Sequence, residues 1–260
     1  MKLVRWDNGV ILESRSDPSR FAFLWFYEWH LFDAVLKGEH TTGACNWNWR
    51  FDESGSTATM NADWLKLHID AKQNGADLSL EITNNTDHDW PAISAIIPCF
   101  NPGGSTPGDP TKPLRKNPFF LDEERTNTYF QGKDGLELLK GKYPREIHFN
   151  HECHPAIMSW AKEREDGRFV FDDKWPASDR DAFAGIMIRE SSDGRYVMGI
   201  GWESFISAQG HNTLNCMHLA AKVGPLRTGE KRTIRGRMYL FEGSKEDCLE
   251  AFEKDFAIPG

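Results

Sequence analysis

The sequence predicts an all-β fold: a large antiparallel β-sandwich, formed as a single domain by residues 1–260, with one helix near the C-terminus. Segments in which apolar and polar residues alternate recur from Gly9 to Phe241. Alternation with a period of two is typical of strands that bury one face. Clusters of turn-forming residues separate these segments, and residues 244–256 show helical periodicity instead.

The amino-acid composition indicates which kinds of molecule this protein binds. The chain has 39 acidic and 31 basic residues, and the net charge of -8 argues against a nucleic-acid partner. No apolar run is long enough to predict a membrane span. The 10 Trp and 17 Phe favour strands, and exposed aromatic rings offer flat surfaces for sugar rings. We therefore expect a carbohydrate partner, and homo-oligomer formation stays open.

Five cysteines lie far apart in the sequence, with an odd count and no C-x-x-C pair. This pattern predicts reduced thiols and a cytoplasmic protein, with removal of a signal peptide as an open alternative. The five are Cys45, Cys99, Cys153, Cys216 and Cys248.

The most aromatic segment, FAFLWFYEWHLFDAV at residues 21–35, fits either a buried strand or a short helix. If it is extended, Glu28 and His30 point to the same face. Apolar surroundings shift the proton affinity of a carboxylate and of an imidazole, so we predict that both residues are catalytic. Trp29 is predicted to stack on a sugar ring. The alternative is a sheet edge, where both side chains pair with the backbone or with an arginine.

Residues 46–52, 57–62 and 64–71 continue the strand pattern and lead to the central stretch, residues 77–101. There Leu78, Leu80 and Ile82 alternate with polar residues, a polar corner follows, and an apolar run ends at Phe100. We predict two long strands, joined by the corner, at the centre of a large antiparallel sheet.

This central stretch carries a family resemblance. Its parts follow one another in a fixed order: a strand, TNNTD at residues 83–87, Trp-Pro, an apolar strand, and PCFN at residues 98–101. This order resembles the central segment of galactose mutarotase-like (aldose 1-epimerase-like) β-sandwich proteins. PLRTGE at residues 225–230, with the strand after it, is similar to their closing segment. The resemblance implies the sandwich fold and a sugar-binding concave face. Where the epimerases carry a catalytic His just before Pro-x-Phe-Asn, this sequence has Ile97.

Further along the chain, Arg125 stands at the mouth of a predicted strand, residues 127–131. An arginine in this place suits a clamp for a substrate carboxylate or hydroxyl. The alternative is an ion pair with Glu123 or Glu124.

Three histidines with the spacing H-x-x-H-x-x-H, His148, His151 and His154, enclose Cys153. Imidazoles and a thiolate are ligands for zinc, but on a strand residues three apart face opposite ways. We therefore predict no metal site here and expect chelation to leave the protein intact. A metal-dependent enzyme remains an alternative.

A second concentration of polar residues lies at positions 207–219, after the core strand that carries Trp202. His211 and Asn212 are predicted to bind substrate on the loop, and Trp202 is the alternative to Trp29 as the residue that stacks on the ring. His218 lies on the next strand, where an imidazole must be hydrogen-bonded or used. We predict His218 and His30 as the proton-transfer pair.

The chain ends with a strand at residues 232–241 and a helix that Ser244 is expected to cap. Together these features predict a carbohydrate-active enzyme acting on a sugar or uronate ring by acid–base chemistry, of epimerase or lyase type, without a cofactor. A non-catalytic sugar-binding sandwich is the alternative.

Overall fold

Antiparallel strands dominate the structure, a computed structural model that describes residues 1–6, 9–25, 48–102, 117–139, 146–162, 177–210 and 215–256. The strands are β1 Lys2–Trp6, β2 Gly9–Glu13, β3 Phe21–Trp25, β4 Asn48–Phe51, β5 Thr57–Asn61, β6 Leu65–Lys72, β7 Gly75–Thr83, β8 Ala95–Ile96, β9 Cys99–Asn101, β10 Thr128–Gly132, β11 Gly135–Leu138, β12 His148–Phe149, β13 Ile186–Glu190, β14 Tyr196–Trp202, β15 Phe205–Gly210, β16 Met217–Lys222 and β17 Lys231–Glu242. The helices are α1 His154–Lys162 and α2 Lys245–Phe256, with a 3-10 turn at Pro118–Phe120. The predicted all-β class is confirmed.

Two sheets form the sandwich. One has eight strands in the order β1-β2-β3-β9-β16-β15-β12, with β8 also paired to β16. The other has nine strands in the order β11-β10-β13-β14-β17-β7-β6-β5-β4. Alternating apolar residues from both sheets fill the core between them, as Leu78, Leu80 and Ile82 of β7 and Phe100 of β9 do.

The central stretch differs from the prediction, because its two parts lie in different sheets. β7 belongs to the nine-stranded sheet, whereas β8 and β9 belong to the eight-stranded one. The corner crosses between the layers, and there the side chain of Asn84 is buried and donates to the carbonyls of His88 and Leu226. The apolar run is also not one strand, since Pro98 has no N–H for a ladder and separates β8 from β9.

Helix α1 was not predicted. Pro155 argued against helix in the sequence, but it occupies the first turn of α1, where a missing N–H costs nothing. Ile157 of α1 packs with Phe149, Ile206 and Ile97 on the side of the eight-stranded sheet that faces away from the core. We call this side the outer face.

Helix α2 confirms the predicted cap. The Ser244 hydroxyl accepts from the backbone N–H of Asp247, whose carboxylate accepts in return from the Ser244 N–H. Cys248 and Phe252 pack against β13 and β14 on the far side of the nine-stranded sheet. Gly201 lets them approach, since a Cβ there would lie 2.7 Å from the Phe252 ring. No helix in the described residues is long and apolar enough to cross a membrane.

Candidate functional site

A row of four side chains crosses the outer face of the eight-stranded sheet on neighbouring strands. In the strand register, Gln209 of β15 lies opposite His218 of β16, His218 opposite Cys99 of β9, and Cys99 opposite Trp25 of β3. All four are at least 95% buried. The register of distant strands therefore places an amide, an imidazole, a cysteine sulfur and an indole side by side.

A second row lies beside the first. Asn101 of β9 is opposite Phe23 of β3, and its side-chain Nδ2 donates to Cys99 Sγ at 3.3 Å. In the other direction along β9, Ile97 is buried in the apolar cluster under α1. The position where the sequence resemblance would place a catalytic histidine is therefore apolar, and His218 on the next strand carries an imidazole on this face.

The cysteines correct a prediction. Cys99 and Cys216 are joined by a disulfide with a Cα–Cα distance of 5.7 Å across 117 residues of sequence, so the two are not reduced thiols here. The sequence did not indicate this disulfide, because the two cysteines are far apart along the chain and β9 and β16 become neighbours only in the folded sheet. Cys153 and Cys248 are free and buried, and Cys45 lies outside the described residues. The cytoplasmic prediction rested on five reduced thiols, and the disulfide removes that support.

Sequence reasoning missed a buried arginine that anchors the start of β16. Arg189 of β13 is fully buried, and burial lowers the pKa of its guanidinium to about 10. It donates to the Thr128 hydroxyl at 2.8 Å and to the carbonyls of Asn215 and Phe120 at 2.6 and 3.3 Å. The sequence feature that could have indicated this network is a single arginine in an otherwise apolar strand, because a buried charge needs hydrogen-bonding partners.

Asp122 completes this network. Its carboxylate accepts from the Thr128 hydroxyl at 2.6 Å and from two backbone N–H groups, and its own N–H donates to the Asn215 side chain. Asn215 adopts a left-handed backbone conformation with φ 58°. Because Asn215 directly precedes Cys216, the Arg189 network fixes the point at which the disulfide and the His218 strand begin.

Arg125, the predicted clamp, lies at the edge of the same region rather than in the His218 row. It has φ 60° and donates its backbone N–H to the Asp122 carbonyl at 3.3 Å, in the turn before β10 of the other sheet. Its positive charge contributes to the lowered pKa of Arg189. Arg125 is half-buried, so part of its side chain faces solvent.

Trp202, a predicted stacking residue, lies at the end of β14. Its side chain is 1% exposed and belongs to the core between the sheets. The ring lies over Gly236, where a Cβ would come within 2.3 Å of it. Trp202 also lines a cavity beside His151, and its stacking role remains a prediction.

The other predicted site residues lie outside the described part of the chain. Glu28, Trp29 and His30 follow Trp25, the last described residue of that segment, and His211 and Asn212 precede Asn215. Their roles remain predictions.

The three histidines of the H-x-x-H-x-x-H motif engage separate partners. His148 is buried, which lowers its pKa; its ring stacks on Phe130, and its Nδ1 contacts the Arg180 carbonyl at 2.9 Å. His151 stacks on Phe183, and His154 contacts the Asp181 carboxylate at 2.6 Å. Among the described residues, no group with metal-ligand geometry includes these histidines.

A cavity of about 210 Å³ lies beside His151. The ring of Phe183 is 37% exposed and stacks on the His151 ring, with centroids 4.1 Å apart and planes 9° apart. Polar side chains line the same cavity, including Asn150, Glu152, Glu203 and Lys222. An aromatic surface ringed by carboxylates, an amide and an ammonium is chemistry suited to a polyhydroxylated ligand.

Comparisons with known proteins give distant similarities only. No protein-family model and no curated protein matches the sequence. Among solved structures, a provisionally named aldose 1-epimerase from Escherichia coli K12 is 9% identical, with a TM-score of 0.36 over 76% of this chain and 69% of its own. A similarly named protein from Klebsiella pneumoniae subsp. pneumoniae MGH 78578 is 9% identical, with a TM-score of 0.32 over 96% of this chain and 57% of its own.

A third structure, the complex of the α-N-acetylgalactosaminidase NagBb from Bifidobacterium bifidum with GalNAc, is 11% identical, with a TM-score of 0.43. The match covers 98% of this chain, which spans only 39% of that enzyme. These three of the matching structures are two proteins named as aldose 1-epimerases and one glycosidase, at a similarity that assigns no activity to this chain.

Proposed function

We propose that this protein is a carbohydrate-active enzyme of epimerase or lyase type, with His218 as a proton-transfer residue on the outer face of the eight-stranded sheet. The row of Gln209, His218, Cys99 and Trp25 carries the proposal, because it holds an imidazole for proton transfer together with an amide and an indole for sugar recognition. The motif resemblance to aldose 1-epimerase-like proteins supports the substrate class.

Each remaining predicted residue has a role in this proposal. His30 is the second proton-transfer group, and Glu28 orients it or shares its proton. Trp29 or Trp202 stacks on the ring, while His211 and Asn212 bind hydroxyls. Arg125, which is half-buried, holds a substrate carboxylate or hydroxyl. Access is part of the proposal, since a sugar must reach an imidazole that is 3% exposed in this structure.

The test is a substrate screen that reports reaction type. Aldoses, glycosides and uronate oligosaccharides are incubated with the protein and followed by proton NMR. Interconversion of anomers or epimers reveals an epimerase, and ultraviolet absorbance of unsaturated uronates reveals a lyase. We expect turnover in one class; no turnover in any class contradicts the enzymatic proposal.

The Phe183 cavity favours a second function, non-catalytic sugar binding. If a sugar ring stacks on Phe183, replacing Phe183 with Ala should weaken sugar binding about 10-fold, the loss expected for one aromatic contact. Phe119, which is 42% exposed, provides the matched control, and Phe119→Ala should leave affinity unchanged. Equal affinities for wild type and Phe183→Ala, measured by calorimetry, contradict binding at this cavity.

A further inference from the structure

The disulfide and the neighbouring imidazole form a cluster whose chemistry extends beyond cross-linking. Cys99, Cys216 and His218 each offer one ligand atom, and these three atoms all lie within 4.8 Å of one another. All three residues are at least 97% buried. Two sulfurs and an imidazole nitrogen are ligands that zinc prefers, and three protein ligands are the set found in many open zinc sites.

The sheet holds two of these residues in place, and the third directly precedes a strand. His218 and Cys99 are directly opposite one another in the ladder between β16 and β9. Cys216 immediately precedes β16, and its disulfide to Cys99 and its packing with Cys99 and Trp25 place its sulfur on the same face. A tetrahedral zinc ion keeps its sulfur and nitrogen ligand atoms roughly 3.5 Å apart. Once the sulfur–sulfur bond is opened, side-chain rotation alone can bring the three atoms to that separation.

Two neighbouring side chains point independently to a ligand at this place. The Asn101 side chain donates to Cys99 Sγ at 3.3 Å, a hydrogen bond that favours a thiolate. Gln209 lies opposite His218, and its Oε1 is buried without a hydrogen-bond partner in the described part of the protein. This carboxamide oxygen could accept a hydrogen bond from the imidazole N–H of a metal-bound histidine, or it could be the fourth ligand of the metal ion.

We propose that Cys99, Cys216 and His218 bind one zinc ion when the disulfide is reduced, so that a dithiol converts the cluster from a disulfide into a thiolate–imidazole zinc site. A small dithiol reduces the bond: it gives two electrons and two protons to the two sulfurs and becomes a cyclic disulfide itself. Zinc then displaces both thiol protons to solvent and forms two Zn–S bonds and one Zn–N bond.

Zinc binding would also regulate the proposed sugar site. In the zinc form the ion would engage a nitrogen lone pair of His218, which removes this imidazole from proton transfer. This consequence rests on the proposed function, but the zinc site itself does not. Metal binding is therefore measured without any sugar, and its result stands whether or not an enzymatic activity is found.

Cobalt(II) is the probe, because cobalt–thiolate bonds absorb in the near ultraviolet. The whole protein is reduced with dithiothreitol without oxygen, freed of reductant and titrated with cobalt(II), then with zinc(II). We expect one equivalent of cobalt with thiolate charge-transfer bands, which zinc displaces. The oxidised protein should bind none, and its denatured form should show two fewer reactive thiols than the reduced protein.

Variants assign the ligands. Cys99→Ser and Cys216→Ser should abolish the charge-transfer spectrum of a two-thiolate site, and Gln209→Ala should weaken binding about 10–100-fold. Cys153→Ser and Cys248→Ser are matched controls that keep full binding, since both cysteines are free and absent from the cluster. Stoichiometric cobalt binding that survives Cys216→Ser overturns the proposal, as does the absence of binding by the reduced wild type.

A second measurement covers the case in which a variant fails to fold. Reduced wild type is treated with iodoacetamide in the presence and absence of zinc, and the labelled cysteines are located by mass spectrometry. We expect zinc to protect Cys99 and Cys216 and to leave labelling at the other cysteines unchanged. Equal labelling of Cys99 and Cys216 with and without zinc contradicts the proposal.

Discussion

Replacing His218 with Gln should lower turnover on the sugar substrate by about 10²–10⁴-fold, the contribution of one positioned proton-transfer group. Gln keeps a polar side chain of similar volume at a site that is 3% exposed, so the melting temperature should change by only a few degrees. His218→Ala should give the same kinetic loss with a larger loss of stability, because it leaves a cavity in the sheet. Initial rates and thermal unfolding measure the two effects separately.

His68 provides the matched control for this substitution. It lies on β6 of the other sheet, and its side chain is exposed. His68→Gln should therefore keep both turnover and stability. If His218→Gln turns over the substrate as fast as the wild type, His218 is a structural histidine and the proposed role is wrong.

Replacing Arg189 with Met should destabilise the protein by about 3–5 kcal/mol, the usual cost of removing one partner from a buried charged network. The guanidinium satisfies the Thr128 hydroxyl and the Asn215 and Phe120 carbonyls, and Met can donate to none of them. For a chain of this size the melting temperature should fall by roughly 6–20 °C. Differential scanning calorimetry or thermal circular dichroism records the change.

Arg195 serves as the control for Arg189. Its side chain is 63% exposed, and its guanidinium lies 5.4 Å from the Tyr196 ring. Arg195→Met should change the free energy of unfolding by less than about 0.5 kcal/mol. If Arg189→Met is as stable as Arg195→Met, the network around Asn215 does not anchor the start of β16.

Local patterns predicted several elements because their causes are local. The alternation of Leu78, Leu80 and Ile82 with polar residues identified β7 and its buried face, and Ser244 with Asp247 identified the start of α2. Alternation reports which face of a strand is covered, and a cap is formed by residues three apart. Neither depends on which distant segment becomes the neighbour.

The sequence predicted the structure less well where the same residues are compatible with more than one local conformation. A proline such as Pro155 can end a helix or occupy its first turn. Only the packing of Ile157 against the outer face shows that α1 forms here. An apolar run after a polar corner fits one sheet or two, and the buried hydrogen bonds of Asn84 are what carry the chain from one layer to the other.

By itself, the sequence determined the all-β class, the alternating faces and the capped C-terminal helix, because these follow from residues a few positions apart. Tertiary structure alone decided that Cys99 meets Cys216 across 117 residues, that His218 lies between Gln209 and Cys99, and that Arg189 is buried against Asn215. Strand pairing and register are set by the whole core, which selects one arrangement among many with the same local pattern. Chemistry that needs side chains from several strands is therefore visible only once the sheets have formed.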